Sequence, residues 1–111
     1  RRRAAPRMRT ALLLALMPTL AAAQDFTTLR YACDRGVTVP ATYVNGADQS
    51  LVVIHVDGSQ ITLVNEISAS GARYGWPSDG SGYVWWTKGD EATLYWKTPE
   101  DETPILACKA Q

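Results

Sequence analysis

The stretch Leu51–Ile67, LVVIHVDGSQITLVNEI, limits the possible folds more than any other part of the chain, because two runs rich in β-branched residues flank Asp57-Gly58-Ser59. Alternation places Leu51, Val53 and His55 on one face and Val52, Ile54 and Val56 on the other, which is the period of a strand, and the small turn between the runs makes a hairpin. The same grammar continues along the chain. Thr27–Ala32 and Val37–Val44 lie either side of Gly36, and Asn45-Gly46 is a second hairpin signal because both residues tolerate positive φ. After Ile67 the segment SASGARYGWPSDGSG holds only a short strand over Ala72–Gly75. Tyr83–Thr87 and Ala92–Trp96 then flank a Lys-Gly-Asp-Glu turn, and Pro104–Cys108 follows the charged loop Pro99–Thr103. About eight short strands without helical periodicity predict an all-β fold: one small antiparallel barrel, closed so that no sheet edge is left to pair with another chain.

Residues 1–23 do not read as part of that domain. A basic RRRAAPRMR is followed by the apolar run Thr10–Leu20 and by Ala21-Ala22-Ala23, the order of a secretory signal with cleavage after Ala23 and a true start at Met8. The apolar run is too short to span a bilayer, which takes about 20 residues. No cysteine stands at the expected cleavage point, so a soluble periplasmic domain over residues 24–111 is expected, touching the membrane only through export.

Removing the signal exposes the charge of the domain. Residues 24–111 carry six Lys and Arg against eleven Asp and Glu, a net charge of −5, although the full chain sums to zero. Nucleic acid and anionic membrane surfaces would be repelled, whereas a cationic partner would be attracted. The chain has only two cysteines, Cys33 and Cys108, and in an exported protein such a pair invites one disulfide closing nearly the whole domain. With one histidine and two distant cysteines there is no metal-ligand cluster, and no cofactor is expected.

Catalytic chemistry finds little support. His55 lies inside a strand and reads as an ordinary side chain on one sheet face; no G-x-S-x-G elbow is present. A Ser70–Lys88 dyad would need a desolvated lysine, and the Gly-Asp-Glu turn beside Lys88 keeps it charged. Asp90 with Glu91, and Glu100-Asp101-Glu102, read as a solvated rim. The four tryptophans are the better lead. Trp85 and Trp86 are adjacent on a strand, so one faces the core and the other faces out. An outward Trp beside Gly, Ser and charged turn residues is an interface anchor or, alternatively, with Trp76, a stacking platform for a glycan.

Two motifs favour the first of these uses and leave the glycan platform as the alternative. SASGARY at Ser68–Tyr74, then an aromatic pair and TKGDEATL at Thr87–Leu94, resemble the paired motifs of the MliC/PliC inhibitors of c-type lysozyme, and Tyr31-Ala32-Cys33 with the closing Cys108 is similar to that family's frame. The resemblance implies an exported eight-stranded barrel that blocks lysozyme by entering its substrate cleft. It further implies that Ser70 and Lys88 meet the enzyme's catalytic carboxylates. Gly71, Arg73, Tyr74, Gly89, Asp90 and Ala92 fall on the remaining motif positions, mostly as supports, with Arg73 bracing the loops through carbonyls or Asp90 if it is not itself a contact. The segment Gly75–Gly82 departs from the family pattern in length and carries the extra Trp76.

Overall fold

A computed structural model describes residues 25–111. The expected signal segment and its cleavage site lie outside the described residues. The strands are β1 (Asp25–Cys33), β2 (Thr38–Asn45), β3 (Ser50–Val56), β4 (Ser59–Glu66), β5 (Ala72–Gly75), β6 (Gly82–Lys88), β7 (Glu91–Lys97) and β8 (Glu102–Ala110). Each pairs antiparallel with the next, and β1 pairs with β8, so the sheet closes on itself.

Turn chemistry sets the register. Asp57 and Gly58 take φ of 52° and 79°, so Val56 pairs with Ser59 across a two-residue turn whose twist matches that of the strands. The β2–β3 connection is longer than the Asn-Gly pair alone needs: Asn45 is the last residue of β2 and pairs with Ser50, and the loop is closed by the Gly46 amide donating to the Gln49 carbonyl at 3.0 Å.

Alternation then decides which side chains fill the barrel. Val52 and Ile54 are fully buried while His55 is exposed, as the β3 pattern predicts. Trp85 is 0% exposed and is the largest fully buried side chain. A buried indole needs a partner for its N–H. Trp85 Nε1 donates to the Tyr43 hydroxyl at 2.9 Å, Tyr31 and Tyr43 hydroxyls meet at 2.6 Å, and the Tyr31 and Trp85 rings pack edge to face at 5.1 Å. Burial, with the hydrogen bond that Tyr43 shares with Tyr31, pushes the Tyr43 hydroxyl far above its ordinary pKa, so the network stays neutral.

Closure is the weak point of the ladder. β1 pairs with β2 from Asp25↔Asn45 to Ala32↔Thr38, but with β8 only through Tyr31↔Ala110, Ala32↔Lys109 and Cys33↔Cys108. The last of these pairs is the disulfide. Beside it, the 3-10 turn Asp34–Gly36 is tied to β8: Asp34 Oδ2 accepts from the Ala107 amide at 2.9 Å, and Arg35 donates to the Ile105 carbonyl at 3.2 Å.

Candidate functional site

β5 and β6 run antiparallel with Ala72 opposite Thr87, so the loop that enters β5 and the turn that leaves β6 emerge at the same end of the barrel. The first loop carries Ser70 and Gly71; the second is the two-residue turn Gly89-Asp90 between the paired Lys88 and Glu91. Gly89 has φ of 61°, which lets this turn be so short. Gly71 has φ of 67°, and a Cβ there would lie 2.1 Å from the Thr87 carbonyl oxygen and 2.8 Å from Lys88 Cγ. Only glycine allows the two segments to lie this close.

Trp86 holds the arrangement from outside the barrel. Its Nε1 donates to the Ser70 carbonyl at 2.9 Å, and the Ser68 hydroxyl donates to the Ser70 and Gly71 carbonyls at 3.1 and 3.2 Å. Lys88 Nζ lies over the Trp86 ring, 4.6 Å from its centroid, and the Arg73 guanidinium lies 5.0 Å from the same centroid. Ser70 and Lys88 are both exposed, and Lys88 forms no salt bridge with an acid among the described residues. Thus the motif residues converge, with an exposed serine and an exposed ammonium that has no acidic partner among the described residues at their tip.

The other motif positions do different work. Tyr74 is 6% exposed and packs on Tyr43 inside the barrel, where burial raises its pKa. Asp90 sits 3.9 Å from Lys109, and its carbonyl accepts from the Ala110 amide at 2.7 Å, so this acid anchors the turn to β8. Arg73 does not bond Asp90. Its Nε donates to Glu66 at 2.6 Å and its Nη atoms form a fork on Glu102, leaving a side chain only 12% exposed. Glu102, expected on a solvated rim, is instead the first residue of β8 and belongs to this network.

Hydrogen bonding to Arg73 holds the Glu102 carboxyl below its ordinary pKa. A depressed carboxylate contributes stability that is complete above the unfolded-state value, about 4.3, and disappears as pH falls through the lower folded-state value. Glu102→Gln is therefore expected to lower Tm at pH 7, with the gap to the parent closing in acid. A gap that stayed constant from pH 7 to pH 2 in thermal scans would contradict this coupling.

Residues 31–103 match the family described as "MliC: Membrane-bound lysozyme-inhibitor of c-type lysozyme". The chain belongs to the MliC family. Among curated MliC relatives, the membrane-bound lysozyme inhibitor of C-type lysozyme of Cupriavidus necator is 42% identical over 89 residues, covering 78% of this chain and 68% of the relative. That of Pseudomonas aeruginosa is 44% identical over 88 residues, covering 77% and 65%. The chain thus spans about two thirds of their length. The crystal structure of Pseudomonas aeruginosa MliC in complex with hen egg white lysozyme superposes with a TM-score of 0.65 at 34% identity, covering 96% of this chain and 100% of that one. The family match includes both loop motifs and Cys33, so the MliC pattern and the clustered tip are the same part of the molecule.

Proposed function

We propose that this chain inhibits c-type lysozyme by inserting the Ser70 and Gly89-Asp90 loops into the cleft, with Lys88 and Ser70 meeting the two catalytic carboxyl groups. The observation that carries the reading is the tip itself. In a domain with an excess of acids, the described residues leave Lys88 without a carboxylate partner, on a turn fixed against the Ser70 loop. Lysozyme works with one ionised Asp and one Glu kept protonated by an apolar pocket. An ammonium brought to the ionised acid forms a charge-assisted hydrogen bond, and a serine hydroxyl, which both donates and accepts, suits the protonated one. This is binding without turnover, and the −5 charge of residues 24–111 steers a basic enzyme inward.

The same reading places the mature domain, released after Ala23, in the periplasm. Its disulfide belongs to an oxidising compartment. The direct test is titration of the purified domain against hen egg white lysozyme acting on cell walls. Inhibition should saturate near one inhibitor per enzyme; no inhibition at micromolar excess would sink the proposal.

Gly71→Ala tests how far the tip depends on close packing of the loops. The new Cβ must push Thr87 and Lys88 away, at a cost of roughly 1–3 kcal/mol for the strained backbone. A lower Tm together with weaker inhibition is expected. An unchanged inhibition constant would show that the spacing of the two loops is immaterial.

A further inference from the structure

At the other end of β6 lies a groove of about 710 Å³ walled by Trp76, Tyr83 and Trp96. Tyr83 begins the strand beside Gly82 and Lys88 ends it, about 16 Å away at the rise of a β-strand. Trp76 and Trp96 are 49% and 40% exposed, an uncommon placement for such large apolar rings. Neither ring is loosely attached. Tyr83 and Trp96 stack edge to face at 5.0 Å. Trp76 is seated on Gly82, where a Cβ would come within 2.6 Å of its own Cβ, and the Trp76 carbonyl accepts from the Ser78 amide at 2.7 Å. Gln60, Thr62 and Ser81 add amide and hydroxyl groups to the lining, which contains no charged side chain.

We infer that this groove is a binding site for a neutral oligosaccharide. Its volume falls within the range of small-ligand sites. The absence of charge in the lining of an acidic domain disfavours ionic ligands, while the neutral amide and hydroxyl groups distinguish it from a purely aliphatic pocket. A pyranose ring matches this mixture. Its C–H faces carry slight positive charge and lie on the negative faces of aromatic rings, and its hydroxyls reach the Gln, Thr and Ser side chains. Trp85, the alternative platform raised by the sequence, is inside the barrel, and Trp86 is occupied by Lys88 and Arg73. The platform is instead Trp76 with Trp96.

The test uses the full domain titrated with the tetramers of N-acetylglucosamine and of β-linked glucose, followed by tryptophan fluorescence and calorimetry. Saturable binding of at least one tetramer with Kd below about 1 mM is expected, weakened at least tenfold by Trp96→Ala and by Trp76→Ala, and largely restored by Trp76→Tyr. Lys88→Ala should leave it unchanged, and Trp76→Ala should leave lysozyme inhibition unchanged, so the two sites stand or fall separately. No saturable binding of either tetramer, binding indifferent to both tryptophan variants, or dimerisation abolished by Trp76→Ala would each overturn the assignment.

Discussion

Replacing Ser70 and Lys88 together by alanine is expected to weaken lysozyme binding about a thousandfold while the barrel stays folded. Lys88 supplies the larger share, because truncating one member of a desolvated charge pair costs about 2–5 kcal/mol, whereas a neutral hydroxyl contact is worth about 1. Together, about 4 kcal/mol corresponds to roughly three decades in Kd. The fold should survive because both side chains are exposed, and what Trp86 holds is the backbone carbonyl of Ser70, which alanine retains. Lys88→Arg is not expected to substitute, since a planar fork differs in shape and reach from a compact ammonium. Calorimetric titration with hen egg white lysozyme, alongside thermal unfolding, separates the two effects. Retained tight binding by the double variant would move the site elsewhere on the barrel.

The second large effect concerns closure. Cys33→Ala with Cys108→Ala is expected to cost about 4 kcal/mol, because the bridge closes a loop with a sequence separation of 75 in the unfolded chain. For a domain whose total stability is of the order of 5–15 kcal/mol, that lowers Tm by roughly 20 °C. Alanine is the informative replacement, since Cys108 is buried and a serine hydroxyl there would add a desolvation cost. The short β1–β8 ladder makes the bridge matter locally as well: without it, the Tyr31 and Ala32 pairs and the Gln111 amide on the Arg30 carbonyl hold the seam beside the Asp34 and Arg35 contacts. A loss below about 1 kcal/mol in urea unfolding would show that the ladder closes the barrel unaided.

Much of this architecture is legible in the sequence because it is local. The Asp57-Gly58 turn, the alternation of Val52 and Ile54 with His55, and the opposite fates of Trp85 and Trp86 follow from strand period and turn chemistry. The tip is legible for another reason: two motifs far apart in sequence lie on adjacent strands, so their convergence follows once the meander is accepted. The role of Arg73 is not legible. Its partner Glu102 lies 29 residues away and three strands across, in what reads as a charged loop, and only the register of β7 with β8 draws it into a strand. Trp86 as the clamp on Ser70 depends on a side chain reaching a backbone carbonyl across a loop, which no periodicity reveals. The pairing of Trp76 with Trp96 across the groove is hidden for the same reason, although the glycine that seats Trp76 is a trace of it.

The most direct measurement of the central claim is a double-mutant cycle between the two proteins. One arm changes Lys88 to Ala, the other changes the ionised catalytic aspartate of lysozyme to Asn, and binding is measured for all four pairs. Contact between the ammonium and that carboxylate predicts a coupling energy above about 1.5 kcal/mol. Additive losses, with coupling near zero, would contradict the claim that Lys88 reaches the catalytic centre.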